Sequence, residues 1–126
     1  MIKLVNAERT ARGLPPVERD DRLRRAAQGH SEHQASTGRM SHVGRDGSGV
    51  AERLRAAGHL EWRRCTENVA WNYADEDDVM KGWMASPCHR ANILDPYVSF
   101  MGWGRAQHQG GPEGITPYYW TQVLSD

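Results

Sequence analysis

The 126-residue sequence carries no net charge, has only two cysteines and one phenylalanine, and contains no long hydrophobic run. Its 16 basic and 16 acidic residues cancel, so the chain lacks the broad positive field that binds phosphate backbones, and we expect no nucleic-acid partner. No segment approaches the roughly 18 consecutive apolar residues of a membrane span, which excludes one. A chain of this length buries enough surface for one hydrophobic core, so a disulfide scaffold is unnecessary.

Apolar residues at helical spacing predict three helices in the first half of the chain. Their ends coincide with capping and helix-breaking residues, notably Asp20 or Asp21 at the start of the second helix and Gly38 at its end. The three predicted segments are 4–11, 21–37 and 48–57.

The second half of the sequence predicts mainly strands. Cys65–Trp71 is extended, an acidic cluster at 75–78 begins a further helix that Pro87 stops, and two later segments alternate as strands do. Those two strands are Ser99–Gln107 and Pro117–Leu124, with a hairpin loop at 108–114. Helices early and paired strands late favour an α+β fold over alternating β/α units, and we interpret residues 1–126 as a single domain.

Four short motifs stand out against this background. They are Ser41-His42 in a glycine-rich loop, Thr66-Glu67-Asn68, Trp83-x-x-Ser86-Pro-Cys-His89-Arg-x-Asn-Ile-Leu, and Tyr119-Trp-Thr-Gln-Val123. In this order they resemble the CAP superfamily of cysteine-rich secretory, antigen 5 and pathogenesis-related proteins, also called SCP domains, in its short microbial form. The motifs cover most of the chain.

The resemblance implies a three-layer α-β-α sandwich whose central antiparallel sheet and loops enclose a cleft. In that family two histidines and two glutamates commonly line the cleft and can hold a divalent cation. His42 matches the first histidine, Glu67 the acid of the Glu-Asn motif, and His89 the second histidine. The position of the second glutamate is occupied by Ser86, so one of the two carboxylates is missing.

Two imidazoles and one carboxylate also form the ligand set of many hydrolytic zinc sites, in which a fourth position stays open for water. His42, Glu67 and His89 come from separate elements, so their spacing alone does not group them. If Glu67 is a ligand, no second acid is available as a general base. An alternative that stays open is that both histidines hydrogen-bond to Glu67 in a polar core that needs no metal.

The resemblance also brings other residues towards the cleft. Ser86 and Asn68 are candidates for lining it and positioning a ligand, although Asn68 could simply hold a turn. Since Cys65 and Cys88 neighbour Glu67 and His89, we expect a disulfide between them, which would stabilise the fold by about 3 kcal/mol. We interpret the segment around Cys88 as extended, which would point Cys88 and His89 to opposite sides.

The other histidines receive structural interpretations. His30 lies on the inward stripe of the second helix and is interpreted as a core histidine whose hydrogen bonds are satisfied. His59 and His108 lie in loops, where we expect them to be solvated.

The sequence therefore favours a secreted binding module whose cleft accepts a divalent cation, with zinc the expected ion. One alternative is a metal-dependent hydrolase of extracellular peptide or cell-wall polymer. Another is a carrier of sterol or other lipid, for which Met80, Met84 and Met101 could line a small apolar groove. No enzymatic reaction is common to the family, so whether the protein is an enzyme stays open. The sequence begins without a signal peptide, so secretion would require that one has been removed.

Overall fold

The computed structural model describes residues 1–109, 113, 115 and 117–126. In this part of the chain the elements follow the order α1 (Ile2–Thr10), β1 (Glu18–Arg19), α2 (Asp21–Thr37), α3 (Val50–Ala56), β2 (Cys65–Trp71), α4 (Glu76–Ala85), α5 (Pro87–Ile93), β3 (Phe100–Gln107) and β4 (Tyr118–Ser125). The predicted hairpin loop includes 110–112 and 114, which lie outside the described residues. Its base is formed, because the His108 amide donates to the Pro117 carbonyl at 2.7 Å.

The four strands form one sheet in the order β1-β3-β4-β2. Strand β4 lies between β3 and β2 and is antiparallel to both. Strand β1 adds two residues parallel to β3, a short edge that the sequence analysis missed. The predicted central antiparallel sheet is therefore confirmed, and β2 forms its opposite edge.

Helices cover both faces of the sheet, which confirms the three-layer α-β-α sandwich. One face packs against α2 and α3, and the other packs against α1, α4 and α5. Core residues include Leu23, Leu54 and Val123 on the first side and Val79, Trp83 and Leu124 on the second. Successive residues of β4 point to opposite faces of the sheet. Since helices cover both faces, the side chains on both sides of this strand are buried.

Helix α2 is held at both ends by the residues that the sequence indicated. The Asp20 side chain accepts hydrogen bonds from the amides of Arg22 and Leu23, and Gly38 ends the helix with a φ of 68°. Among the described helices no segment is long and apolar enough to cross a membrane.

Two glycines allow α2 to lie directly on β3. A Cβ atom at Gly102 would lie 2.1 Å from the Arg24 nitrogen, and one at Gly104 would lie 2.5 Å from the Gln28 Cα. No side chain fits between these two backbones, so the glycines set the spacing of the layer that carries the site.

Two local predictions are wrong. Residues 87–93 are helical, not extended, because Pro87 occupies the first turn of α5, where its fixed φ favours a helix start. His59 is buried with its ring stacked on Trp62 at 5.4 Å. Its Nε2 lies 2.8 Å from the Ser125 hydroxyl, so His59 belongs to the core and is not solvated.

Candidate functional site

The centre of the site is a buried carboxylate beside an exposed imidazole. Glu67 lies on β2, facing α2 and α3, with its side chain 2% exposed, whereas the side chain of His42 is 61% exposed. The Glu67 Oε1 atom lies 2.9 Å from His42 Nδ1. Since an ionised carboxylate only accepts hydrogen bonds, Nδ1 carries the proton, and in the neutral ring of His42 the lone pair is on Nε2.

Arg53 on α3 occupies the other oxygen of the same carboxylate. Its Nη2 donates to Glu67 Oε2 at 2.5 Å, while Nη1 donates to the carbonyls of His42 and Ser48 at 3.0 and 2.8 Å. One guanidinium thus neutralises Glu67 and ties the His42 loop to the sheet. Arg53 was not predicted as a site residue, although its place beside Leu54 on the apolar stripe of α3 is a signal in the sequence.

His30 on α2 completes the buried side of the site. Its Nε2 lies 2.6 Å from the Ser41 carbonyl oxygen and 3.9 Å from Glu67 Oε1. The prediction of a core histidine is confirmed, but only one ring nitrogen is satisfied: Nδ1 has no hydrogen-bond partner among the described residues. Burial lowers the pKa of His30, and the negative charge of Glu67 opposes this effect.

Acid is expected to destabilise the fold through His30. Because burial holds the folded-state pKa below the ordinary value of 6.5, the unfolded chain binds more protons than the folded chain below that pH. This contribution to stability is complete above about pH 6.5 and is lost as the pH falls towards the folded-state pKa.

Urea unfolding between pH 8 and 5 measures this dependence. His30→Gln keeps a donor for the Ser41 carbonyl but removes the titration, so its stability should fall less steeply with acid than that of the parent. An unchanged slope would show that His30 is not responsible.

His89 enters the site from the opposite layer, on α5. Its Nδ1 lies 2.8 Å from the Ser86 hydroxyl, a contact across one helical turn. Burial lowers the pKa of His89, and the charge of His42 lowers it further. The two histidines are therefore within electrostatic reach of each other, and in both rings the hydrogen bond within the protein is made by Nδ1.

Asn68 does not line the cleft as predicted, because it follows Glu67 on the strand and points to the other face. It is completely buried. Its Nδ2 donates to the His89 carbonyl at 3.1 Å and to Gln122 Oε1 at 3.0 Å, and its Oδ1 accepts from Asn92 at 2.8 Å. Asn68 thus fixes α5, and through it His89, against the edge strand.

The expected disulfide between Cys65 and Cys88 is not formed, since both thiols are free. Cys65 packs with the core under α2 and α3, where burial raises its pKa, whereas Cys88 is exposed on α5 at the other face of the sheet. Nearness to Glu67 and His89 along the chain did not bring the two sulfurs together, because the sheet separates the elements that carry them.

The three expected metal-site residues do not form a compact ligand cluster. Within residues 1–109 and the other described positions, no group of three or more His, Cys, Asp or Glu side chains is arranged to hold a metal ion. Both oxygens of Glu67 are engaged, one by His42 and the other by Arg53. Among these three residues, the ring nitrogens that no described residue engages in a hydrogen bond are Nε2 of His42 and Nε2 of His89.

The apolar groove expected for a lipid carrier is only partly present. Met80 and Met84 line a groove of about 470 Å³ between α1 and α4, together with Leu4 and Ala7. Met101 is completely buried in the core and lies outside this groove.

The protein is an α-β-α sandwich that carries two histidines and a buried glutamate at one edge of its sheet. The order of the sequence motifs predicted this fold. The family model of the cysteine-rich secretory proteins, CAP, matches residues 2–124. The chain belongs to this family.

Solved structures of an extracellular protein and of an outer surface protein share the fold. An extracellular protein of Bacillus anthracis that contains an SCP domain superposes with a TM-score of 0.84 at 23% identity, over 98% of this chain and 38% of that one. An outer surface protein of Borrelia burgdorferi gives the same TM-score at 16% identity, over 99% of this chain and 88% of that one.

Two proteins of Bacillus subtilis are similar in sequence. The uncharacterized membrane protein YlbC is 32% identical over 104 residues, and the uncharacterized protein YkwD is 29% identical over 104 residues. Each alignment covers 82% of this chain but only 30% and 40% of the relatives, so the chain spans less than half of their length.

Proposed function

We propose that this CAP domain is an extracellular binding module in which His42 and His89 hold a divalent cation, with zinc the expected ion, and present it to a ligand. The observation that carries the proposal is the contact between buried Glu67 and His42 Nδ1, 2.9 Å long. It fixes the tautomer of an exposed imidazole and directs the basic Nε2 outward.

A carboxylate that accepts the Nδ1 proton of a metal-binding histidine is a frequent outer partner in metal sites, because it orients the ring and raises its basicity. In this arrangement Glu67 supports His42 and is not itself a ligand, which modifies the set expected from the sequence. The lowered pKa of His89 keeps its ring neutral near pH 7, as metal binding requires.

A tetrahedral ion bound by two histidines has two further ligand positions, which water or a group of the bound partner can occupy. This favours ligand presentation over hydrolysis. A hydrolase would also need a general base, and Glu67 is poorly suited to that role while Arg53 neutralises it.

The extracellular location is supported by the relatives, which include an extracellular and an outer surface protein.

Zinc titration by calorimetry on chelator-treated protein tests the proposal. His42→Ala and His89→Ala should each abolish binding at stoichiometric zinc, and Glu67→Gln should weaken it by about 10–100-fold, the usual effect of losing an outer carboxylate. His108→Gln is the matched control, because His108 bonds the Ala35 carbonyl at a distance from the site.

Circular dichroism must show that each variant remains folded. Zinc binding that survives both alanine variants would refute the site, as would binding lost equally in the His108 control.

A further inference from the structure

A second recess lies beside the histidine site, between α2, α3 and the loop 44–48. It has a volume of about 450 Å³, within the range of small-molecule sites. The residues that bear on its chemistry are Arg25, Gly29, His30, His33, Arg45 and Arg53. We call it the α2–α3 groove.

The walls of the α2–α3 groove are cationic. Three guanidiniums line it, against the single carboxylate of Asp46. Hydrogen bonds from Ser48 lower the pKa of Asp46, so this carboxylate is ionised and held by its own loop. Since Arg53 is committed to Glu67, the charges available to a ligand belong to Arg25 and Arg45.

Both available cations are accessible. Arg25 donates to the Ala57 carbonyl at 3.1 Å and lies 3.2 Å from Asp21, but more than half of each side chain of this ion pair is exposed. An exposed pair of this kind contributes little and is readily exchanged for an anionic ligand. Arg45 is exposed on the loop opposite α2.

Two imidazole rings lie in the same groove with an unsatisfied nitrogen each. The rings of His30 and His33 are 6.2 Å apart on successive turns of α2. The Nδ1 atom of each is buried without a partner among the described residues. His30 donates from Nε2 to the Ser41 carbonyl, so its neutral ring has an acceptor at Nδ1 that requires a donor such as a hydroxyl group.

Gly29 keeps the groove open. It lies in the middle of α2, where glycine costs about 1 kcal/mol relative to alanine. A Cβ atom at this position would meet nothing within 4 Å, so packing against the rest of the protein does not require glycine. Its missing side chain leaves space between Arg25 and His33 on the groove side of the helix.

We propose that the α2–α3 groove binds a hydroxylated anion, a sugar acid or polyol phosphate whose charged group meets Arg25 and Arg45 and whose hydroxyl groups meet the histidines. The carboxylate and phosphate versions share this chemistry. The site requires no metal and is separate from the proposed cation site, although Arg53 contacts both.

Calorimetric titration in the presence of EDTA tests the groove. The probes are glucuronate and glycerol 3-phosphate, compared with neutral glucose and with inorganic phosphate. We expect one or both hydroxylated anions to bind at least tenfold more tightly than glucose and phosphate, because only they satisfy both charge and hydroxyl contacts. The better of the two identifies the anion class.

Variants locate the binding. Gly29→Leu should fill the groove and abolish binding, while Gly29→Ala should retain it and confirm that α2 tolerates a side chain. Arg25→Gln and Arg45→Gln should each weaken binding by about tenfold, the loss expected for a charged hydrogen bond. Arg12→Gln removes an exposed charge from the turn that follows α1 and should change nothing.

Failure of both hydroxylated anions to bind would overturn the proposal, as would binding that Gly29→Leu leaves intact. His42→Ala should retain groove binding, so failure of the cation site and failure of the groove give different results.

Discussion

Arg53→Met is expected to lower the free energy of unfolding by about 3–5 kcal/mol, the range for a buried ion pair that loses one partner. The side chain of Glu67 is 2% exposed. Without Arg53, His42 would be the one described side chain left within hydrogen-bond distance of its carboxylate. The His42 carbonyl would lose its hydrogen bond from Arg53, and the Ser48 carbonyl would keep only the one from the Gly44 amide. Methionine fills a similar volume, so the effect would reflect charge and hydrogen bonding.

Arg55→Met is the matched control, since it makes the same change in the same short helix. Arg55 is exposed and lies over the Trp62 ring at 4.9 Å, a contact that contributes about 0.5–1 kcal/mol. Urea denaturation of both variants at pH 7 gives the comparison. Combining Arg53→Met with Glu67→Gln should recover part of the loss, because the buried charge is then removed. Equal, small effects at Arg53 and Arg55 would show that Glu67 does not depend on the guanidinium.

Gly102→Ala is expected to cost about 3 kcal/mol or more, at or above the upper end of the usual range for overpacking. The added methyl group would overlap the α2 backbone, 2.1 Å from the Arg24 nitrogen and 2.2 Å from the Leu23 carbonyl carbon. A backbone cannot rotate away as a side chain can, so the whole helix must move. Since α2 carries His30, the site would be displaced with it.

Gly29→Ala makes the same change on the exposed side of α2 and should raise stability by as much as about 1 kcal/mol, because alanine is the better helix former. Measured by thermal unfolding, the changes in stability of the two variants should have opposite signs if the contact of α2 with β3 is as close as described. A Gly102→Ala protein as stable as its parent would contradict that contact.

The elements that the sequence predicted well carry their own local signals. Asp20 and Gly38 mark the ends of α2 by capping chemistry, and the aromatic and β-branched residues of 118–124 mark a strand with apolar residues on both sides. The motif order adds the family, and from it the sandwich and the two histidines, which no local pattern would have grouped.

Features that depend on distant contacts were not predicted. Arg53 meets Glu67 because α3 folds over β2. Its place on the apolar stripe of α3 indicates an inward side chain but does not identify Glu67 as its partner. The helix at 87–93 was hidden by Pro87, which ends one helix and begins the next. The disulfide was expected from neighbours along the chain, whereas the two faces of the sheet decide which side chains can meet.

The position of β4 in the sheet has a consequence for how the protein is made. Residues 118–125 form the last strand in sequence but lie between β2 and β3, and neither of those strands pairs with the other. Before β4 has left the ribosome, α2 can form from local contacts, but the sheet beneath it lacks its central strand. Closure therefore waits for contacts of long sequence separation, which are slow to form. During synthesis the emerging chain exposes the apolar faces of its strands and helices, and is open to chaperones and proteases until the final strand is inserted.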